Sequence, residues 1–352
     1  MNNYKILSAD HKDWSNVLKN FDEKIFNDIY QSKEYLKLYE NYNQKKSECF
    51  LFSLNNDYFL LSYIKNQINN KKFGTFFDFE TVYGYSGPIS TSEDKYFLKN
   101  AWKEFKNYCL NNSLIAGFIR FNPYLQNHKF IDSDLINLNY EKEIVVKDFK
   151  KTSEYWSNYS SDIRNKIRKA ENNNIIVKVN NSEESMKAFY QLYIESMTEK
   201  KADEKYFFTE NYFNDLFLTL KNRFNLFLAY KNETLVGGAL TFISGQSAVI
   251  HLSANRKEFL KYGSSSLLRH EIIKFYSKKN INWINFGGGL SSSKNDNLLK
   301  FKKGFSKEIE KFYTGKLIIN KKVYDNLCND WDSKFLKNKK LFKNFFLKYN
   351  II

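Results

Sequence analysis

The sequence contains little proline, cysteine and histidine, and each shortage excludes a class of protein. Among 352 residues there are two prolines, three cysteines and four histidines, so neither a proline-rich linker nor a disulfide framework is indicated. The cysteines form no CxxC pair and the histidines do not cluster, so we expect no metal site. No apolar run approaches the roughly 20 residues of a membrane span, and no secretory signal is visible. We therefore expect a cytoplasmic protein with reduced thiols.

Acidic residues are outnumbered by basic ones. The chain has 55 Lys and Arg against 39 Asp and Glu, a net charge of +16, which favours phosphates, nucleic acid or an anionic membrane surface as partners. All but six of the basic residues are lysine, and Lys, Asn, Tyr, Phe and Ile are enriched throughout. The codon bias of an AT-rich genome would give the same composition. Since no helix-turn-helix or zinc-finger spacing is present, we expect no DNA binding.

A weak internal repeat organises the chain. Strand-turn-strand patterns occur at Cys49–Lys65 and again at Asn225–Ser244. In each half a further strand leads to a glycine turn, at Gly84 and Gly263, and nearly the same number of residues separates the two hairpins as separates the two glycines. A helical pattern and another strand follow in each half. The repeat predicts an α/β protein built from two duplicated units.

The predicted domains follow from this repeat. We place the first domain at residues 1–150, the second at 151–320 and a C-terminal helical tail at 321–352. In the second domain Ser182 is a candidate N-cap, followed by two acidic residues in the first helical turn. The strand that closes the second domain is expected at Ile281–Phe286.

The two glycine turns differ in the charge of the helix that follows them. A helix N-terminus carries unpaired N–H groups and a partial positive charge, so it can bind a phosphate. The first helix opens with Thr91–Asp94, whose carboxylates already occupy that end. The second opens without an acid, and its candidate donor-binding residues are Gly263, Ser264, Ser265 and Arg269. The alternative is an ordinary serine-capped helix.

A second candidate region is the run GGGLSSSKNDNLLKFKKGFS at Gly287–Ser306. Three glycines at a strand end indicate backbone that approaches a ligand closely, so Gly287 and Gly288 join the donor-binding set together with Phe301. Acyl transfer passes through a tetrahedral oxyanion that a fixed cation can stabilise, and Lys302 is the candidate for that cation. The alternative is that Lys302 is an ordinary solvent-exposed lysine without a catalytic role.

The proton path has weaker candidates. His251 is the candidate catalytic base and Glu271 a further one, but either side chain can equally be structural. Because no nucleophile–His–acid arrangement stands out, a covalent enzyme intermediate is not required. Direct attack by an amine needs only positioning, oxyanion stabilisation and a proton path.

The candidate acceptor-binding residues come from both halves. Arg164 and Arg168 are spaced i, i+4 and share one helix face, which suits bidentate recognition of a phosphate. In the first half Tyr85 lies in YGYSGP, and Arg120 and Asn122 lie in a strand end, RFNP. The alternatives are a solvated basic helix and a tight turn.

Taken together, these segments resemble the Fem-type acyltransferases, which include enzymes that build peptidoglycan interpeptide bridges and acetyltransferase-like proteins of polysaccharide gene clusters. The matching segments are VYGYSGP (Val82–Pro88), FIRFNP (Phe118–Pro123), IRNKIRKAE (Ile163–Glu171), HLSAN (His251–Asn255), NFGGG (Asn285–Gly289) and LLKFKKGFS (Leu298–Ser306). The resemblance implies two tandem acetyltransferase-like (GNAT) domains, each with a mixed central sheet flanked by helices, and a C-terminal helix that returns to the first domain.

The resemblance also implies roles for particular residues. Lys302 takes the place of the family's catalytic-region lysine behind the aromatic Phe301, and Arg164 and Arg168 lie in the stretch linked to a phosphorylated acceptor. The chain lacks the long helical arm of some bridge-forming members and is similar to the short forms. The donor stays open, because family members use either aminoacyl-tRNA or acyl-coenzyme A.

Three hypotheses follow. The first is an N-acyltransferase that uses acyl-coenzyme A to acylate an amine of a nucleotide- or lipid-linked amino sugar of the cell envelope. The second is an aminoacyl-tRNA-dependent enzyme that extends a peptidoglycan bridge, and the third is a basic binding protein that kept the fold without catalysis. A lipid-linked acceptor would bring the protein to the inner face of the membrane as a peripheral protein.

Overall fold

The structure is a computed structural model that describes residues 3–152, 154–291, 293, 295–336 and 341–351. The chain divides into two compact units. Unit 1 comprises Met1–Phe26, Tyr30–Glu141 and Phe312–Ile352, and unit 2 comprises Asn27–Ile29 and Lys142–Lys311. Each unit combines a mixed sheet with helices, which confirms the predicted α/β class.

Unit 1 is a mixed sheet with helices from both ends of the chain. Its strands are β1 (Tyr4–Leu7), β2 (Lys46–Leu54), β3 (Asp57–Asn70), β4 (Gly74–Glu80), β5 (Ile89–Ser90), β6 (Leu114–Arg120) and the second half of β13 (Ile309–Ile318). Its helices are α1 (Trp14–Leu18), α2 (Glu23–Phe26), α3 (Lys33–Asn43), α4 (Lys95–Asn111) and α11 (Lys321–Lys334). The strand order is β1-β2-β3-β4-β6-β13, and β5 pairs with β3.

Local sequence explains the main elements of unit 1. The β2–β3 hairpin turns at Asn55 and Asn56, which both have positive φ, at 51° and 68°, as hairpin turns of this length require. Helix α4 begins where the Asp94 carboxylate accepts a hydrogen bond from the Phe97 N–H at 2.8 Å. Its apolar face buries Trp102 and Phe105 against the sheet.

Unit 2 repeats this plan. Its helices are α5 (Ser161–Asn172), α6 (Glu183–Glu199), α7 (Glu210–Leu220), α8 (Lys257–Leu260), α9 (Ser264–Ser277) and α10 (Asn297–Lys303). Its strands are the second half of β7 (Ile136–Asp148), β8 (Ile175–Val179), β9 (Phe224–Lys231), β10 (Thr234–Ser244), β11 (Ser247–Asn255) and β12 (Trp283–Gly288). The strand order is β7-β12-β11-β10-β9-β8.

The two faces of the unit 2 sheet are covered by different helices. On β10, Thr241 bonds the Tyr276 hydroxyl of α9 at 2.6 Å, whereas its neighbour Phe242 packs on the other face. Gly238, on the same face as Phe242, lies against Phe189 of α6. Since alternate residues of a strand point to opposite faces, α9 covers one face and α6 the other.

The structure moves the domain boundary from residue 150 to Glu141–Lys142. The reason is strand β7, which the sequence analysis did not identify. Its second half pairs with β12 from Gly288↔Ile144 to Trp283↔Asp148 and so belongs to the sheet of unit 2. The second boundary, predicted at residue 320, lies at Lys311–Phe312, because β13 pairs with β6. Helix α11 belongs to unit 1, where Leu327 packs with Ile115 and Leu347.

The described residues contain neither a candidate membrane-spanning helix nor a candidate metal site. No helix there combines the length and apolarity needed to cross a membrane. No group of three or more His, Cys, Asp and Glu side chains in that part of the chain is arranged to hold a metal ion.

Candidate active site

Strands β11 and β12 part from each other inside the sheet of unit 2. They run parallel and pair from Ser247↔Trp283 to Val249↔Asn285. Beyond Asn285, β12 continues along β7 to Gly288↔Ile144, while β11 continues along β10 as far as Asn255. Over the described residues no further pairing joins β11 to β12. The facing edges therefore offer backbone N–H and C=O groups to an extended ligand.

The corresponding strands of unit 1 stay together. There β4 and β6 pair from Phe77↔Leu114 to Glu80↔Phe118, and the Thr81 N–H then donates to the Phe118 carbonyl at 3.0 Å. A further parallel bridge joins Ser86 to Phe121. Of the two repeated strand pairs in the part of the chain that is described, the one in unit 2 is the pair that separates.

Lys302 lies at the end of the parted strand β12. It projects from α10, a helix whose first turn is fixed by the Asp296 carboxylate accepting from the Leu299 N–H at 2.9 Å. The Lys302 side chain is only 8% exposed, and its Nζ donates to the Gly288 carbonyl at 2.6 Å. Burial and the neighbouring positive charges of Arg269 and Lys142 lower the pKa of Lys302 well below its usual value of 10.5.

Arg269 is a second buried cation beside Lys302. Its side chain projects from α9 and is 7% exposed, and burial lowers its pKa to about 10. The guanidinium lies 5.8 Å from the ring centre of Phe286 and 5.5 Å from that of Phe301. Its Nε and Nη1 have no hydrogen-bond partner among the described residues.

The carbonyls of the triple glycine bind cationic side chains. The space left by the absent glycine side chains is occupied by other parts of the protein. A Cβ on Gly288 would lie 2.6 Å from the Glu143 carbonyl of β7, and one on Gly289 would lie 2.5 Å from the Asp296 carboxyl group. These contacts give Gly288 and Gly289 a packing role within the protein, and the predicted contact with a donor stays a prediction. Gly287 has φ +75°, and its N–H donates to the Asn285 side chain at 2.7 Å.

Gly263 also makes room for the protein chain. It adopts φ +82°, and a Cβ there would lie 2.1 Å from the Lys166 carbonyl of α5. The close approach at Gly263 is therefore to α5, and phosphate binding by the N–H groups at the start of α9 stays a prediction. Ser264 is buried and donates to the Phe259 carbonyl at 3.2 Å, whereas Ser265 is partly exposed in the first turn of α9.

The structure separates His251 from the buried cations. Its ring stacks on Phe242 at 4.2 Å between centres, and its Nε2 shares a hydrogen bond with the Tyr212 hydroxyl at 2.9 Å. Phe242 lies on the sheet face opposite α9, so His251 and Arg269 occupy opposite faces. Burial lowers the pKa of His251 to about 3. These contacts favour the structural alternative for His251, and its catalytic role stays a prediction.

The two arginines of α5 are engaged locally. Arg164 donates through Nη1 to the carbonyl of Tyr159 and, at 3.4 Å, to that of Ser157. Arg168 is exposed and lies 5.7 Å from the Trp156 ring centre. Arg168 is thus the more accessible of the two for an acceptor phosphate.

The remaining predicted acceptor residues lie in unit 1, and two of them hold its own loops. Arg120 forms an ion pair with Glu80 at 2.8 Å and donates to the Thr81 carbonyl at 2.8 Å. The Asn122 side chain accepts from the Tyr124 N–H at 2.9 Å in a turn. Tyr85 is partly exposed, with its ring edge-on to Phe312. These contacts favour the structural alternative for Arg120 and Asn122.

Sequence reasoning missed two residues near the end of β12. Lys142 donates to the Gly289 carbonyl at 3.2 Å, and Asn285 is fully buried with no partner for its Nδ2 in the described part of the chain. Nothing in the sequence distinguishes Lys142 from the many other lysines. Asn285 lies in the segment NFGGG, but only its buried position in the structure reveals the unpaired donor.

Part of the sequence of unit 2 matches a known domain family. Residues 157–301 match the model of the acetyltransferase (GNAT) domain, a stretch that contains β11, α9, β12 and most of α10. A comparison with curated proteins finds no match.

Solved structures extend the likeness to nearly the whole chain. FemX is 13% identical with a TM-score of 0.64, covering 91% of this chain and 99% of FemX. A conserved protein of unknown function from Bacteroides thetaiotaomicron is 10% identical with a TM-score of 0.60, covering 90% of this chain and 100% of its own. The C-terminal domain of a proposed lysylphosphatidylglycerol synthetase from Agrobacterium fabrum is 14% identical with a TM-score of 0.55, covering 85% and 89%. These likenesses confirm, for the fold, the resemblance stated from the sequence.

Proposed function

Since the chain is an acyltransferase with a GNAT domain, we propose that it transfers an acyl group from coenzyme A to an amine of a cell-envelope precursor, such as a nucleotide- or lipid-linked amino sugar. The observation that carries this proposal is the parting of β11 from β12 beyond Asn285, with Lys302 held at the end of β12. An extended thioester can pair with the exposed strand edges there, which would bring its carbonyl towards the buried cations.

The reaction needs few groups from the protein. The acceptor nitrogen attacks the thioester carbonyl and forms the C–N bond, and collapse of the tetrahedral intermediate breaks the C–S bond. The proton lost by the amine is returned to the leaving coenzyme A thiolate. Lys302 would donate to the oxyanion, because its Nζ is buried and bound only to a carbonyl, an exchangeable partner. Positioning of amine and thioester would supply much of the remaining acceleration.

Unit 2 is the proposed donor side. In unit 1 the equivalent strands remain paired and the Asp94 carboxylate caps α4, so a phosphorylated donor would find neither open strand edges nor a free helix end. The fold shared with FemX and with a domain of a proposed lysylphosphatidylglycerol synthetase supports an acceptor from the cell envelope. Arg168 and Tyr85 are the candidates that remain accessible for acceptor contacts.

Hydrogen exchange on the whole chain tests the donor site. Coenzyme A at millimolar concentration is expected to slow exchange in peptides covering Ile250–Asn255 and the start of α9, while peptides covering β4 and β6 serve as the internal control. Thiol release from acetyl-coenzyme A with UDP-glucosamine as a trial acceptor would then measure transfer. Protection confined to unit 1, or none anywhere, would contradict the assignment.

A second candidate is an aminoacyl-tRNA-dependent transferase. The net charge of +16 favours it, because binding of a polyanion by many lysines is driven by counterion release. Affinity for tRNA should then fall steeply with salt between roughly 50 and 200 mM. A flat salt response would remove this candidate and leave the coenzyme A donor untouched.

A further inference from the structure

The core of unit 2 contains a guanidinium for which the described residues provide no ion pair. Arg269 is 7% exposed, yet its Nε and Nη1 donate to no acceptor among the described residues. Its neighbours are the rings of Phe286 and Phe301. A buried charge without a partner is strongly unfavourable, and native proteins retain such a group where a ligand supplies the partner.

The charges around Arg269 add to this imbalance. Lys302 lies close enough to Arg269 for the two charges to interact, and its described bond is to the neutral carbonyl of Gly288. The one acidic group acting on Lys302 is Asp296. Its carboxylate is already used by the N–H groups of Leu299, Leu290 and Ser291.

We propose that Arg269 binds an anionic group, a carboxylate or a phosphate, that a substrate brings to the end of β12. This inference rests on the proposed function and deepens it by naming the charge of the substrate. The planar guanidinium presents parallel N–H donors that match either oxyanion group, and the rings of Phe286 and Phe301 flank it. The carboxylate would be the far end of a dicarboxylic acyl chain, and the phosphate would belong to the donor or to the acceptor.

The buried positive charge of Arg269 also bears on the choice of donor. An aminoacyl group carries an α-ammonium next to the carbonyl that reacts. The buried guanidinium of Arg269 would repel it. The charge pattern therefore favours acyl groups without an amine at that position.

The experiment measures binding by calorimetry with the full chain and two thioesters of matched length. Succinyl-coenzyme A and butyryl-coenzyme A differ in a terminal carboxylate against a methyl group. We compare the unaltered protein, Arg269→Gln, Arg269→Lys and a control, Arg256→Gln. The control removes the same charge from a partly exposed arginine of unit 2 that pairs with Glu195 at 3.4 Å.

Three results would support the proposal and identify the source of the anion. If the acyl carboxylate is bound, the unaltered protein prefers succinyl-coenzyme A by roughly ten- to hundredfold, and Arg269→Gln removes the preference. If a donor phosphate is bound, Arg269→Gln weakens both thioesters and free coenzyme A alike. If an acceptor phosphate is bound, Arg269→Gln leaves the donors unchanged and raises the KM for UDP-glucosamine.

The proposal is overturned if Arg269→Gln equals Arg256→Gln with all of these ligands. If Arg269→Gln does not fold, Arg269→Lys replaces it as the test variant. A single ammonium cannot reproduce the paired donors, so the same three patterns are expected with smaller changes in affinity. If the unaltered protein binds no coenzyme A thioester at all, the proposed function fails instead. The two failures are thus distinguishable.

Discussion

Replacing Lys302 by methionine removes one buried ammonium while keeping a side chain of similar length. Nζ of Lys302 lies 2.6 Å from the Gly288 carbonyl, at the end of the strand along which the thioester is proposed to bind. Loss of one donor to a developing oxyanion typically lowers kcat by about 10²–10³, which corresponds to roughly 3–4 kcal/mol. We expect a fall of that size for Lys302→Met, with little change in donor affinity.

The same substitution should not weaken the fold. It loses one hydrogen bond, at a net cost of about 1 kcal/mol. It also removes a buried positive charge beside Arg269, and replacing buried charges by apolar groups can stabilise by about 1–4 kcal/mol. The free energy of unfolding should therefore stay constant or increase.

The pH dependence of stability follows from the lowered pKa of Lys302. Between that folded-state pKa and the usual 10.5, the unfolded chain binds the proton more often than the folded one. Stability of the unaltered protein therefore rises with pH across this window. The unaltered protein should have a lower free energy of unfolding than Lys302→Met, and this difference should shrink as the pH approaches 10.5.

The assays are thiol release from acetyl-coenzyme A with UDP-glucosamine and urea unfolding at several pH values. Lys303→Met is the matched control, because Lys303 lies on the same helix and forms a partly exposed ion pair with Glu143 at 2.8 Å. Full activity of Lys302→Met would refute the oxyanion role, and so would loss of activity to the same degree in the control. A large loss of stability in Lys302→Met alone would refute the argument from unpaired buried charge.

Three other substitutions, one of them with a matched control variant, test separate parts of the structure. Arg269→Met removes a buried guanidinium whose Nε and Nη1 have no hydrogen-bond partner among the described residues. Calorimetry without ligand should therefore show a free energy of unfolding that is higher by about 1–4 kcal/mol. A lower free energy of unfolding would indicate that the protein itself neutralises the charge. Burial raises the pKa of Asp78 from 3.8 to about 6, so the unaltered protein should lose stability as pH rises between these values. Asp78→Asn should remove that loss and be more stable at pH 7.5 by up to about 3 kcal/mol; an unchanged pH profile in unfolding experiments would contradict this. Gly263→Ala places a Cβ 2.1 Å from the Lys166 carbonyl and should lower the free energy of unfolding by about 3 kcal/mol or more, measured by urea unfolding. The control is Gly74→Ala, which is also at positive φ but has no atom within 4 Å of the added Cβ. It should lower the free energy of unfolding by about 1 kcal/mol.

Local signals in the sequence predicted most elements, because caps and turns depend on neighbouring residues. Ser182 was predicted to cap a helix, and its hydroxyl accepts from the Ser185 N–H at 3.2 Å. The two hairpins occur where the turn residues place them. The strand predicted at Ile281–Phe286 is observed at Trp283–Gly288, a shift that arises because pairing with β7 extends it into the glycines.

Non-local features were not accessible in this way. Strand β7 reads IVVKD within a mixed polar stretch, and only its pairing with β12 defines it. The roles of Gly263 and Gly288 depend on which backbone segment lies opposite, and sequence cannot distinguish a protein carbonyl from a ligand there. His251 was singled out by residue type alone, and its place on the α6 side of the sheet depends on the register of three strands.

The catalytic role of Lys302 stays a prediction, and its location is now defined. Its place in LLKFKKGFS following NFGGG suggested a functional position, and the structure puts its ammonium against the last carbonyl of β12. The sequence does not indicate which charged residues surround Lys302. Arg269 and Lys142 come from an α-helix and a β-strand far away in the chain, and together they determine the charge at this point.

The order of segments along the chain has a consequence for biosynthesis. Apart from Asn27–Ile29, unit 2 is one continuous segment, Lys142–Lys311, whereas unit 1 also needs Phe312–Ile352. On the ribosome, unit 2 can acquire all of its strands while unit 1 still lacks β13 and α11. Until they emerge, the exposed edge of β6 and the uncovered apolar surface around Ile115 are open to chaperones or to misassembly. Nascent chains stalled after residue 311 should therefore hold a protease-resistant second unit beside a protease-sensitive first one.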